Sequence, residues 1–428
     1  MAGHRNSQSA DLEFVAGNGL IHRRLFLSGG AAAAGSLGLL SAGTAAADPL
    51  VIPPWTRSPG SHMSAYGRPS EYEQDVQRFV GGTPNVVGSG VSFTPIERLH
   101  GTITPNSLHF ERHHSGVPNI DPEQHEFVIH GLVRRPLRFT MDALMRYPTV
   151  TRIQFLECAG NSGGGFDATP QQAPAGLMHG LMSCSEWTGI PVSILLEEAG
   201  VRRDAGWVLA EGADAAVMSR SVPLAKMLDD AIIALYQNGE RLRPENGYPM
   251  RLFLPGYEGN MSVKWLRRLK LNAAPTMTRD ETSHYTDVLP DGRALILTFP
   301  QHVKSIITNP STGLNLSQPG LYEITGLAWS GDGRIRRVEV SADGGRSWAS
   351  AALTEPVLSK SFTRFRMAWQ WDGGPAVLMS RAVDETGAVQ PTRDAVVARF
   401  GERRNYHYNG IQAWQVAAGT GEVANVHA

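Results

Sequence analysis

The feature that most constrains this chain is how often its apolar runs are cut short. From about residue 300 onward, β-rich runs at 321–329, 334–341, 362–371 and 376–384 are separated by Gly331-Asp332-Gly333, Asp343-Gly344-Gly345 and Asp372-Gly373-Gly374. Short strands at regular spacing with such turns predict a small β-sandwich. With 46 Gly and 27 Pro among 428 residues, long helices are disfavoured throughout. Residues 96–275 are more mixed. Strands are predicted at 126–133, 207–210, 231–236, 250–254 and 263–271. Short helices are predicted at 141–147, capped by Thr140, and at Val192–Ala199, between Pro191 and Gly200. A further short helix is predicted at 72–79. No repeated βαβ spacing occurs, which argues against a doubly wound sheet. The fold class is therefore α+β, with a mixed body followed by a sandwich.

Apolar residues make up 42% and charged residues 18%, enough for a sizeable core. The formal net charge of -1 gives no field that selects nucleic acid or a membrane surface. At the start, His22-Arg23-Arg24-Leu25-Phe26-Leu27 precedes a weakly apolar run from Gly29 to Ala42, and Ala45-Ala46-Ala47 offers a cleavage site before Asp48. Residues 1–47 thus read as a twin-arginine signal peptide, and the protein as periplasmic, exported in the folded state. The Gly- and Ala-rich run is too short to span a bilayer of roughly 30 Å. Residues 48–95, rich in Pro, Ser and Gly, read as an extended N-terminal arm.

Chemistry concentrates in five places. The run 152–156 leads into Glu157-Cys158-Ala159-Gly160-Asn161-Ser162-Gly163-Gly164-Gly165, which sets a cysteine at a strand end beside a glycine-rich turn. Such a cysteine suits a nucleophile, half of a disulfide with Cys184, or a metal ligand. His109-Phe110-Glu111-Arg112-His113-His114 suits an oxyanion. A zinc-like use of Glu111, His113 and His114 is poor geometry, because adjacent side chains of an extended segment point apart. The remaining three are the acidic loop Glu211-Gly212-Ala213-Asp214, Pro244-Glu245-Asn246-Gly247-Tyr248-Pro249-Met250-Arg251, and Gly259-Asn260-Met261-Ser262-Val263-Lys264-Trp265. The last two each place a basic residue after a Gly/Pro turn, suited to a phosphate or a pterin edge.

Taken together and in this order, these motifs resemble the sulfite oxidase family of molybdenum enzymes. The pattern is Phe-x-Arg-x-His, Glu-Cys-Ala-Gly-Asn, Glu-Gly-x-Asp, Asn-Gly-(x)n-Gly-(Tyr/Phe)-Pro-x-Arg and Ser-Val-Lys-Trp-Leu. Ser64-Ala65-Tyr66-Gly67, Gly101-Thr102-Ile103-Thr104-Pro105-Asn106 and the stretch from Arg334 to Gly345 add a likeness to the SoxC-type sulfite or sulfane dehydrogenase subunits. The resemblance implies a molybdopterin-binding catalytic domain at 96–275, a linker at 276–300 and an immunoglobulin-like association domain at 301–428. It implies one molybdenum on molybdopterin, with Cys158 as thiolate ligand. Phe110, Arg112, His114, Asp214, Asn246, Arg251, Ser262, Val263 and Lys264 would bind the cofactor. Arg112, His114 and Tyr285 would act in catalysis.

The implied activity is oxidation of sulfite or of sulfane sulfur on a carrier protein. Electrons would pass to a separate c-type cytochrome, since these 428 residues contain no Cys-x-x-Cys-His. The implied assembly is a homodimer or heterotetramer formed through the C-terminal domain. Two departures stand out. Animal-type relatives carry arginines where this chain has Ser162-Gly163-Gly164-Gly165, and the usual Trp-x-Arg reads Trp414-Gln415-Val416. Fewer cations predict a more open pocket, suited to a larger substrate. The competing readings are a sulfoxide reductase of the same fold and a cofactor-free binding protein with a Cys158–Cys184 disulfide.

Overall fold

The computed structural model describes residues 14–21, 53–83, 85–402 and 406–427. The arginine pair at 23–24 and the cleavage site before Asp48 lie outside the described residues.

Two sheets position the site. The first runs in the order Ser219–Pro223, Trp207–Gly212, Leu266–Asn272, Glu126–Gly131, Leu137–Thr140. Only Leu266–Asn272 with Glu126–Gly131 is parallel. The second joins Glu240–Arg241, Ile232–Gln237, Met182–Pro191 and Val150–Glu157, with Arg251–Phe253 added to Ile232–Gln237. Helices are short, as the turn density predicts. Val192–Ala199 is one of the longest among the described residues and ends on Gly200 in the left-handed conformation.

Val150–Glu157 carries the chain to the middle of the protein. It opens with β-branched residues and is buried on both faces from Gln154 to Glu157. Phe155 stacks on Phe362 of the C-terminal body at 6.1 Å. Leu156 points the other way, into a cluster with Trp187 and Phe253. Alternation along the strand thus ties two cores together, and the next residue, Cys158, emerges between them.

The C-terminal body is a sandwich. One sheet contains Lys304–Asn309, Gly320–Trp329 and Thr363–Trp371; the other contains Ile335–Ser341, Ala376–Asp384, Ala413–Val416 and Val423–Val426. Trp329, Trp369, Trp371 and Trp414 are buried between them. Their indole N–H groups donate to Glu157 Oε2, Asn18 O, Gly374 O and Ile307 O respectively. Burying so much aromatic surface is favourable only because each donor has a partner.

Three local expectations are corrected. Residues 72–79 do not form a helix. A single 3-10 turn spans Glu71–Glu73, and Phe79 already belongs to the strand Phe79–Gly82. No residue of that turn is buried, so no packing supports a longer helix. The strand predicted from 263 begins at Leu266, because Trp265 turns the chain with φ +53°. Trp414 and Val416 are interior residues of the sandwich and line no part of the cleft described below, so the missing arginine there does not bear on that cleft.

Candidate active site

All eleven residues singled out from sequence for cofactor, metal or catalysis line one cleft. Phe110, Arg112, His114, Cys158, Asp214, Asn246, Arg251, Ser262, Val263, Lys264 and Tyr285 surround about 690 Å³ of space, part of it open to solvent. His109, Asn260, Glu245 and Trp265 also line it and were not singled out. They share motifs with the chosen residues, so their positions were legible while their orientation was not.

The basic wall is built by loops held close together. Gly247 has φ +115°, and a Cβ there would press on Arg251 and Lys264; only glycine lets these loops approach so nearly. Trp265 turns away after Lys264 and donates its indole N–H to Pro244 O. Lys264 therefore points inward, where Nζ donates to Glu245 O at 3.1 Å and Arg112 O at 3.3 Å and meets His113 Nδ1 at 2.8 Å. Burial, reinforced by the neighbouring Arg251, pushes its pKa well below the usual lysine value. Arg251 donates to Asn246 O and Ser262 O, and burial lowers its pKa to about 9.

The zinc-like alternative is ruled out by partners. His113 Nε2 lies 2.7 Å from Glu111 Oε2 while Nδ1 meets Lys264. Burial works to raise the Glu111 pKa, but His113 and Arg78 outweigh it and hold the carboxyl at about 2.

Arg112, His114 and Tyr285 also line the cleft. Arg112 sits on the edge strand Glu111–His113 and donates to the carbonyls of Gly90 and His113. His114 Nε2 is 3.4 Å from Tyr285 Oη. Burial, then Arg112, lowers the His114 pKa to about 4, so it is neutral at pH 7. The Arg220 guanidinium lies 4.6 Å from the centre of the Tyr285 ring and is itself held by Glu258 and Glu281. This buried support was not legible in sequence.

Cys158 sits at the floor, its N–H donating to Leu181 O. Burial raises its thiol pKa, with the Gly160 backbone and Arg112 opposing. Cys184 is elsewhere. It pairs across the sheet with Phe155, and burial pushes its thiol to about 11. Both cysteines are free, so the disulfide alternative is not what the structure holds.

Beneath the cysteine loop, Glu157 accepts from Trp329, Asn161 and Lys304, and Lys304 also donates to Ser162 Oγ at 2.6 Å. His179 Nδ1 meets the same hydroxyl at 2.7 Å. Burial holds His109 and His179 at about 3. An unfolded histidine titrates near ~6.5. Between these values the unfolded chain binds protons that the native chain does not, so stability falls as pH drops. The expected slope approaches ~1.4 kcal/mol per pH unit for each histidine. Urea unfolding of wild type and His179→Gln between pH 7 and pH 5 checks this: the variant should show the shallower loss.

Comparison with known proteins places the cleft in context. Residues 114–279 match the model of the oxidoreductase molybdopterin binding domain, and residues 296–413 match the Mo-co oxidoreductase dimerisation domain. The chain is similar to the crystal structure of the sulfane dehydrogenase SoxCD from Paracoccus pantotrophus. Identity is 46%, the TM-score is 0.85, and the match covers 89% of this chain and 99% of that one. It is also 33% identical over 65% of its length to a nitrate reductase [NADH] of Spinacia oleracea. Over 70% of its length it is 30% identical to one of Solanum lycopersicum. The chain spans about a third of the length of these curated relatives, 33% and 37% respectively.

Proposed function

The chain belongs to the sulfite oxidase family of molybdenum enzymes, and from that premise we propose that it oxidises sulfane sulfur bound to a carrier protein and passes the electrons to a c-type cytochrome. The observation that carries this reading is the 46% identity, over nearly the whole of its chain, to a sulfane dehydrogenase. The nitrate reductases share less identity, and this chain spans only a third of them.

The enzyme is a sulfur-group oxidoreductase, and its cofactor is molybdenum on molybdopterin. The residues present fit that group. His109 Nε2, Asn246 Nδ2 and Arg251 Nε are buried at the cleft without a protein partner. Each unpaired buried group costs about 1–3 kcal/mol, so three in one cleft favour a polar ligand. Cys158 offers the soft thiolate that a redox metal prefers, and a bound metal would favour the deprotonated form that burial alone opposes.

When bound, the cofactor supplies two-electron redox chemistry at sulfur, with oxygen drawn from water. Each oxidation adds one oxygen from water and releases two protons and two electrons. In our reading Cys158 anchors the metal, while Asp214, Arg251, Ser262, Val263 and Lys264 hold the pterin. Arg112 faces the growing oxyanion charge of the product, as a preorganised donor. His114, neutral at pH 7, accepts a proton, and the more deeply buried Tyr285 orients it through the contact between Oη and Nε2. Beside the cysteine loop, Gly160 and Gly163 have open space where a side chain would be. This suits a substrate arriving on a carrier better than small free sulfite held by arginines. Export by the twin-arginine route and assembly through the C-terminal domain complete the reading.

The deciding experiment measures molybdenum per chain, then reduction of added cytochrome c by sulfite and by a persulfidated carrier. One molybdenum per chain with the carrier strongly preferred supports the proposal. Preference for free sulfite sinks the carrier, and absence of molybdenum sinks the whole. Within it, Arg112→Ala is expected to lower turnover by ~10²–10³ with molybdenum content retained. Unchanged kinetics at equal metal content would remove Arg112 from the reacting centre.

A further inference from the structure

Each oxidation releases two protons, and the cleft must pass them to water. His114 accepts a proton in the reading above, and Tyr285 leads nowhere from it. That phenol is buried, with the Arg220 guanidinium 4.6 Å from its ring centre and Glu258 and Glu281 holding the guanidinium. A second ring faces His114. The His284 imidazole has its centre 6.1 Å from that of His114, with the planes tilted by 35°. Unlike Tyr285, it is exposed. It lines a second hollow of about 1410 Å³, open to solvent, whose other walls include Gly160, Ser162 and Tyr406.

One turn of the chain places both rings. Asp280–His284 is a π-helical turn, and Tyr285 follows it directly; such turns are rare and recur at functional sites. Its inner side is pinned. Glu281 accepts from Arg220 Nε and from the Ser221 N–H, and Asp280 accepts from the Ser219 N–H. Its outer side carries His284. Two neighbouring residues thus meet the same imidazole, Tyr285 through Oη from within and His284 from the solvent side. The other groups that face His114 are Arg112, Arg279 and Asp280. A guanidinium takes up no proton. Asp280 is buried and already holds Ser219 and Arg279. Among the described residues facing His114, His284 is the one that both reaches water and can bind and release a proton.

We propose that His284 is the proton exit of the cleft: it takes the proton from His114 across one bridging water and releases it into the open hollow. The inference rests on the sulfur oxidation proposed above. The ring spacing leaves room for one water between the two imidazoles. In the step an N–H bond of His114 breaks and its proton joins that water, which yields a proton to one ring nitrogen of His284. The proton on the other ring nitrogen of His284 then leaves to solvent. His114 returns to its neutral form, and no electron moves. Burial, then Arg112, hold the His114 pKa at about 4, so His114 gives up a proton readily once it has taken one.

The test uses the holoenzyme in weak buffer, with cytochrome c in excess and whichever of sulfite or persulfidated carrier the wild type turns over. His284→Ala should keep its molybdenum and its KM but lose at least roughly tenfold in kcat. Added imidazole, which can carry a proton through the hollow, should restore most of that loss and leave the wild type unaffected. Unchanged kcat overturns the proposal. So does a loss that imidazole does not restore, or one confined to KM, since either marks His284 as structural. Histidine-selective NMR of the metal-free protein gives a readout independent of turnover. His114 should titrate higher in His284→Ala, because His284 is one of the groups that lower its pKa; an unmoved His114 overturns the facing of the two rings. A wild type that lacks molybdenum or oxidises neither substrate would refute the proposed reaction and the exit with it, whatever the NMR shows.

Discussion

Replacing Cys158 by Ser is expected to bring turnover close to zero while the fold stays intact. The cysteine lies at the floor of a cleft whose other walls are built by Arg251, Lys264 and Asp214. Those residues remain in the variant, so pterin should still bind. Serine puts a harder, far less acidic oxygen where a soft thiolate would meet the metal, so the optical and electron paramagnetic spectra should change with activity. Cys184→Ser is the control. Its sulfur lies 3.4 Å from the Ser361 hydroxyl, so the new hydroxyl has a partner, and the residue lies on Met182–Pro191, packed in the cluster that also holds the sandwich tryptophans, and not in the cleft. Turnover should be unchanged and stability little affected. Equal loss of activity in both variants, or a Cys158→Ser enzyme with wild-type spectra, would refute the ligand role.

How much of this was legible in the sequence depends on the range of the interaction. Turn residues act locally, so the short helix Val192–Ala199 and the run of sandwich strands could be read directly. Motif residues such as Arg112 and Lys264 were legible because their spacing resembles a known pattern, though 152 positions separate them. The buried network was not legible. Nothing around Lys304 marks it as a partner of Glu157, 147 residues upstream. Arg220, clamped between Glu258 and Glu281, is equally silent. The hairpin of Phe14–Ala16 and Leu20–Ile21, which pairs with Thr363–Trp371, was not legible for another reason. Val15-Ala16 and Leu20-Ile21 flank Gly17-Asn18-Gly19, a short-range hairpin signal, but the stretch falls within residues 1–47, which read as a signal peptide. The overlong helix at 72–79 fails for a third reason: local propensity without a buried face does not sustain a helix.

The network beneath the cysteine loop gives the second large effect. Lys304 begins the first strand of the sandwich, and Glu157 ends the strand that leads into Cys158. Both are about 2% exposed. Burial lowers the Lys304 pKa, while the Glu157 carboxylate opposes that shift. The lysine also lies over the Trp329 ring at 5.5 Å. Lys304→Met fills similar space but leaves a buried carboxylate with only Trp329 and Asn161 as donors. Removing one partner of a buried pair costs roughly 3–5 kcal/mol, far more than an exposed pair is worth. The urea midpoint of Lys304→Met should fall accordingly. Glu157→Gln together with Lys304→Met should cost less than the two single changes added, because the double variant leaves no charge uncompensated. Ser162 loses its 2.6 Å partner in the same change, so the cysteine loop should loosen and metal content should fall even where the protein is folded. A loss below about 1 kcal/mol, or strict additivity in the double variant, would show that the pair does not tie the sandwich to the cysteine loop.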